Sequence, residues 1–148
     1  MESIILIGIQ ASGKSTFYKE KFFNTHIRIS NDLLKTKNRE KLLLQYCKEA
    51  QISFVIDNTN ITKDVRRGYI QFSKSLDIPV IGYYFRTDVQ RSLEWNNTRT
   101  GKERISKAGI LGTYKKLEIP SLEEGFNQLY YVDVKGNHFE IQEWRDEV

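Results

Sequence analysis

Apolar residues fall into short, nearly unbroken runs separated by longer stretches in which they recur every three or four positions. The runs are Ile4-Ile5-Leu6-Ile7, Ile27-Arg28-Ile29, Ile52 to Asp57, Ile78 to Phe85 and Phe126 to Val134. Continuous, β-branched runs of this length are strands buried on both faces, as in a parallel sheet. The periodic stretches predict helices over Phe17–Phe23, Leu33–Ala50, Thr62–Leu76, Asp88–Asn97 and Ala108–Leu117. Ser30-Asn31-Asp32 and Thr62 are the expected helix caps. Leu93 and Trp95 are expected to pack inward, and Pro120–Gly125 is a turn region. Strand and helix alternate, so the expected fold is α/β: three layers, a central, mainly parallel sheet and helices on both faces.

The loop after the first run changes the picture most. It reads Gly8-Ile9-Gln10-Ala11-Ser12-Gly13-Lys14-Ser15-Thr16, with the spacing Gly-x-x-x-x-Gly-Lys-Ser between a strand and a helix. That is the order a P-loop requires. Glycines let successive backbone N–H groups close on phosphate oxygens, and the positive end of the helix that starts near Gly13 adds to them. Lys14 is expected to reach the β- and γ-phosphates, and the Ser15 hydroxyl to ligate Mg²⁺. The reading is a site for a nucleoside triphosphate, built from Gly8, Gln10, Ala11, Ser12, Gly13, Lys14, Ser15 and Thr16.

Sites in such folds lie outside the carboxyl ends of the strands. Two more strand ends carry useful chemistry there. Asp32 follows the second run. It serves either as a first-turn acid of its helix or as the base that takes the proton of an attacking hydroxyl. Lys35, three positions on, shares a helix face with it, and either pairs with Asp32 or meets an acceptor phosphate. Asp57 ends the third run at the Walker B position, followed by Asn58, Thr59 and Asn60. It holds Mg²⁺ through water, orients its neighbours, or closes an Asx turn. Thr98–Lys107 has no periodicity and carries Arg99, Lys102, Arg104 and Lys107 around Gly101, the makeup of a basic lid over the phosphates.

Composition adds limits. The 148 residues suit one domain with a real core, running through 1–148 and ending in an acidic tail from about residue 138. The formal charge is +4, but Glu140–Val148 contribute −3 and leave +7 on the rest, which suits a polyanionic partner. No apolar run is long enough to span a membrane. A single cysteine, Cys47, excludes an internal disulfide and, with no secretion signal, points to a reducing cytosol. Cys47 reads as a buried helix residue, and His26 and His138 have no metal-ligand spacing.

Together these residues resemble the polynucleotide 5′-hydroxyl kinases, namely the kinase domain of the phage T4-type enzyme and of the animal kinase–phosphatases. The matches are Gly8 to Phe17, Ser30-Asn31-Asp32, Val55-Ile56-Asp57-Asn58-Thr59-Asn60, Trp95-Asn96-Asn97-Thr98-Arg99 and Gly112 to Phe126. They run in order over nearly the whole chain. The resemblance implies ATP and Mg²⁺ as cofactors, and transfer of the γ-phosphate to the 5′-hydroxyl end of DNA or RNA. It implies Asp32 as general base, and Arg99, or Arg104 if the lid is drawn differently, on the ATP phosphates. Asn58 and Asn60 fall beside the acceptor. Lys35 stands where the family often has an arginine, which keeps the charge but loses the bidentate fork. Gln10-Ala11 replaces the usual Pro-Gly or Pro-Ala. The residues alone leave two rivals open, a small-metabolite kinase and a nucleotide-binding regulatory module.

Overall fold

Strand β1 (Ser3–Ile7) is buried along its whole length, and its side chains divide by parity. Ile5 and Ile7 join one apolar cluster, and Ile4 and Leu6 the other. Period-two alternation inside a strand with no polar side is what a sheet covered on both faces requires. The computed structural model describes residues 1–101 and 104–145. Among these, the chain continues through α1 (Lys14–Lys21), β2 (Ile27–Ile29), α2 (Asn31–Leu34), α3 (Lys37–Ala50), β3 (Phe54–Asp57) and α4 (Lys63–Ser75). It then forms β4 (Val80–Phe85), α5 (Val89–Asn97), α6 (Lys107–Lys116), β5 (Gln128–Lys135) and β6 (His138–Glu143). The sheet order is β2-β3-β1-β4-β5-β6. The pairings are parallel except that of β5 with β6. The α/β, mainly parallel architecture is therefore as expected.

One face is covered by α3 and α4 through Cys47, Tyr69 and Ile70. The other is covered by α1, whose Phe17 ring meets Tyr83, Phe85 and Phe139 at 5.1–5.2 Å between centroids. These rings meet in tilted and edge-on geometries that add to simple burial. Cys47 is fully buried, and burial pushes its thiol up to about 11, as befits a core residue and not a nucleophile.

Three expectations are corrected. The helix expected over Leu33–Ala50 is two helices. Lys35 takes a left-handed φ of 72° after α2, and Thr36 restarts the chain, its Oγ1 accepting from the Arg39 N–H at 3.1 Å. A cap signal lay hidden inside an apolar periodicity that runs across it. The acidic tail, for which no strand is expected, contains one. After Gly136 (φ 62°) it turns back as β6, antiparallel to β5, with Val132 opposite Ile141. Trp144 then anchors it, donating its N–H to the Leu129 carbonyl at 3.0 Å and setting its ring edge-on to Tyr84. Trp95 does not enter the core: it is half-buried with the Arg91 guanidinium 4.9 Å above its ring, and Ser92 and Asn96 are the buried residues of α5.

Gly82 of β4 lies where the sheet leaves no room for a side chain. A methyl group there would lie 2.7 Å from Leu129 Cδ1 and 2.8 Å from Phe126 Cε1, both on buried side chains. Overpacking of a filled core costs about 1–3 kcal/mol. Gly82→Ala is expected to lose that much in urea unfolding, with an unchanged slope. Wild-type stability would show that the β4–β5 layer yields more easily than its contacts imply.

Candidate active site

The site is assembled at the carboxyl ends of β1, β2 and β3, which lie side by side in the sheet. Leu6 is in register with Asp57, so β1 and β3 deliver the phosphate loop and the acid to the same edge. Gly8 donates its N–H to the Thr59 carbonyl at 3.0 Å, and a Cβ on it would meet Ser12 Oγ and Phe85 Cβ at 3.0 and 3.1 Å. Gly13 caps α1 with φ 101°, a conformation in which a side chain is strained. No side chain caps this helix, which leaves its first N–H groups free to meet an anion.

Lys14 is buried and folded back on its own loop. Its Nζ donates to the carbonyls of Gly8 (2.8 Å) and Ile9 (2.6 Å) and to Ser12 Oγ (3.3 Å), while Ser12 donates to the Ile9 carbonyl. Burial pulls the ammonium down to about 8. The Asp57 carboxylate opposes this, the Arg99 charge adds to it, and Asp32 opposes it. The expected residues Lys14, Asp57, Arg99 and Asp32 thus share one electrostatic site. Thr16, exposed in the first turn of α1, faces a cavity of about 310 Å³ beside the loop. Ala11, Gly13, Trp95, Thr98, Arg99 and the β5–β6 hairpin from Val134 to Phe139 also line it.

Ser15 donates its hydroxyl to Asp57 Oδ2 at 3.0 Å. Two hard oxygen donors at this separation, beside a phosphate loop, fit Mg²⁺, which completes its shell with phosphate oxygens and waters. Among the described residues no cluster of three His, Cys, Asp or Glu forms a separate metal site.

Asp32 lies in the first turn of α2, exposed, one residue after Asn31, whose N–H donates to Asn58 Oδ1 at 2.8 Å. The β3 loop therefore holds the helix that carries Asp32. Lys35 does not share a helix face with Asp32: it ends α2 as its exposed C-cap. Asn60 does not face outward. It is 2% exposed with φ 47°, and its Nδ2 donates to the carbonyls of Leu6 (2.7 Å), Ile56 (3.2 Å) and Asn58 (3.3 Å), tying two strand ends together. Near the end of α5, Asn96 clamps Ile105 through both its side-chain N–H and its side-chain carbonyl. Arg99 faces the cavity, and Arg104 is exposed and donates to Asn97 Oδ1 at 3.2 Å. Lys102 lies outside the described residues. Gln10 donates its Nε2 to Thr113 Oγ1 of α6 at 2.8 Å and so ties the phosphate loop to that helix.

Two parts of the site went unread in the sequence. Arg28 donates its Nε to Asp57 Oδ2 at 2.7 Å and its Nη2 to Ser15 Oγ at 3.2 Å. Its signal was a single charge between two isoleucines in a strand otherwise buried. The hairpin at Gly136 closes the cavity from the far side and had no signal beyond the Gly-Asn pair.

No protein-family model matches the chain. It is 27% identical over 139 residues to the bifunctional polynucleotide phosphatase/kinase of Schizosaccharomyces pombe, covering 90% of this chain but only 34% of that protein. Among solved structures it is similar to Kti12 of Chaetomium thermophilum in complex with ADP-AlF3 (TM-score 0.65, 15% identity, 88% of each chain). It is also similar to a putative kinase of Chloroflexus aurantiacus (TM-score 0.67, 17% identity, 89% of this chain and 84% of that one). A gluconokinase of Sinorhizobium meliloti gives a TM-score of 0.59 at 18% identity, over 90% and 82% of the two chains. The chain thus has a P-loop kinase-like fold, and a polynucleotide phosphatase/kinase stands among its distant relatives.

Proposed function

We propose that this chain is an ATP-dependent kinase that phosphorylates the 5′-hydroxyl end of a polynucleotide, DNA or RNA. The observation that carries the reading is the carboxylate of Asp32. It is presented on α2 at the carboxyl end of β2, and its charge bears on the Lys14 ammonium. A hydroxyl kinase needs a carboxylate at this place to take the proton of the acceptor. The relative from Schizosaccharomyces pombe, named for polynucleotide phosphatase and kinase activities, favours a polynucleotide acceptor over a metabolite.

In this reading the adenosine lies in the cavity between Trp95 and the β5–β6 hairpin, and the phosphates lie along Gly8–Thr16. Asp32 accepts the proton of the 5′-hydroxyl as its oxygen attacks the γ-phosphorus in line. The bond from that phosphorus to the β–γ bridging oxygen breaks, and ADP leaves. Lys14 turns from its own carbonyls to the β- and γ-oxygens, and Arg99 neutralises charge from the lid side. Ser15 and Asp57 would hold Mg²⁺, which supplies further charge neutralisation when bound. The reading assigns the acceptor side to Lys35, the exposed C-cap of α2, and to Asn58, whose Oδ1 accepts the Asn31 N–H.

The test is incubation with γ-labelled ATP and Mg²⁺ against 5′-hydroxyl DNA, 5′-hydroxyl RNA, 5′-phosphorylated controls, gluconate and nucleosides. Label is expected on the 5′-hydroxyl oligonucleotides alone, and Lys14→Ala is expected to lower both ATP affinity and turnover, the latter about 10²-fold or more. Label on gluconate or another small molecule, with oligonucleotides blank, would replace the reading with that of a metabolite kinase on the same scaffold.

A further inference from the structure

Arg28 is the middle residue of the three-residue strand β2, in register with Val55 of β3. Its backbone belongs to the sheet, but its side chain reaches across to the phosphate site. There the guanidinium, Ser15 Oγ and Asp57 Oδ2 close a triangle. Nε lies 2.7 Å from Oδ2, Nη2 lies 3.2 Å from Oγ, and Oγ lies 3.0 Å from Oδ2. These are the same two oxygens whose chemistry fits a divalent cation.

The carboxylate of Asp57 is 3% exposed and the Arg28 side chain 32%. A buried carboxylate is costly unless a positive charge is paired with it. Arg28 supplies that charge with a rigid, directional fork. A divalent cation on Ser15 and Asp57 would stand within a few ångströms of the guanidinium, and the two positive charges repel strongly in a partly desolvated site. Oδ2 and Oγ are also the atoms each would use, so the two occupants exclude one another. The triphosphate alters the balance, because its anionic oxygens give both cations new partners: they ligate the metal and accept the guanidinium that it displaces.

We infer that Arg28 is the internal counter-cation of the metal seat. It holds Ser15 and Asp57 in the nucleotide-free protein and yields them to the divalent cation that arrives with the triphosphate. The inference rests on the metal-ligand reading of Ser15 and Asp57 given above, and needs no particular acceptor. Its consequence is that the seat is closed to free divalent ions. Metal affinity is coupled to nucleotide through Arg28, which leaves Ser15 and Asp57 for the phosphates when metal and nucleotide are both bound.

The experiment is Mn²⁺ binding followed by the electron paramagnetic resonance signal of the free ion, with and without a non-hydrolysable ATP analogue. It is run on wild type, Arg28→Met, Arg28→Lys and Arg28→Met/Asp57→Asn, with folding checked by circular dichroism. Without nucleotide, Arg28→Met is expected to bind one Mn²⁺ about tenfold or more tighter than wild type, within the range of ordinary coupling between sites. The Asp57→Asn partner change removes the gain. Arg28→Lys, which keeps the charge but loses the fork, falls between. With the analogue bound, wild type and Arg28→Met converge. Should Arg28→Met not fold, the Arg28→Lys shift decides. Equal Mn²⁺ affinity in the folded variants and wild type overturns the inference, and so does a gain that survives Asp57→Asn. Neither readout depends on phosphoryl transfer, so a blank oligonucleotide assay leaves this result standing or falling by itself.

Discussion

Asp32→Asn is expected to lower transfer to a 5′-hydroxyl on the order of 10²-fold or more, the usual worth of a positioned general base, while ATP binding survives. The separation follows from the geometry. Asp32 makes its contribution from an exposed first turn of α2, outside the phosphate loop that holds the donor. The anchor of that helix is the Asn31 N–H on Asn58, a backbone contact the substitution leaves alone. Asparagine keeps the volume and removes only the proton acceptor. The loss of a negative charge from the first turn costs at most about 1 kcal/mol of stability, too little to unfold the protein. Steady-state kinetics against a 5′-hydroxyl oligonucleotide, paired with calorimetric titration of ATP, checks both halves. Undiminished turnover would remove Asp32 from the role of base; lost ATP binding would show that the residue holds the donor instead.

Glu124→Ala is expected to destabilise the fold by about 3–5 kcal/mol, the cost of leaving a buried charge without its partner. Arg66 is fully buried, and its Nε and Nη2 donate to the two carboxylate oxygens of Glu124 at 2.8 and 3.1 Å. Its Nη1 donates to the Asn60 carbonyl at 2.9 Å. Glu124 Oε2 also accepts the Ser121 N–H at 2.9 Å, so one carboxylate closes a turn and neutralises an arginine. The same arginine supports Asn60, which ties β1 to β3 just below the phosphate loop. The loss is therefore expected to reach ATP affinity as well as stability. The double variant Arg66→Met/Glu124→Leu removes both charges at similar volume and is expected to recover most of the stability. Equilibrium urea unfolding of the single and double variants measures both quantities. A single variant as stable as wild type would mean that Arg66 finds another partner.

That pair also explains a stretch that carried weight in the sequence for no visible physical reason. In Glu124-Gly125-Phe126 the acid meets Arg66 and the glycine turns with φ 116°, a Cβ on it reaching 3.0 Å from an Ile70 methyl. The phenylalanine packs over Gly82. Nothing local announces these contacts. Arg66 sits on a helix more than fifty residues earlier, amid other charges of ordinary surface appearance. Its burial is a property of the assembled layers.

The strands and the phosphate loop were legible because each depends on residues close together in sequence. Apolar runs of β-branched residues specify strands buried on two faces, and Gly8, Gly13, Lys14 and Ser15 act within one turn of backbone. Helix starts at Thr62 and Asp88 were equally local, a side-chain oxygen meeting an N–H three residues on. The break at Lys35 and Thr36 escaped because an apolar periodicity continued across it. The strand β6 escaped because its alternation of polar residues with Phe139 and Ile141 has no preferred partner until β5 offers an edge. By itself, then, the sequence determined a mainly parallel α/β fold with a triphosphate loop and an acid at or just past the end of each of two strands. Only the tertiary structure decided that Asn60 is a strand clasp and that the hairpin and Trp95 bound one cavity. It also decided that Arg28 lies across Ser15 and Asp57. Each of these is a contact between side chains from different strands or layers, and such contacts have no signature in local sequence.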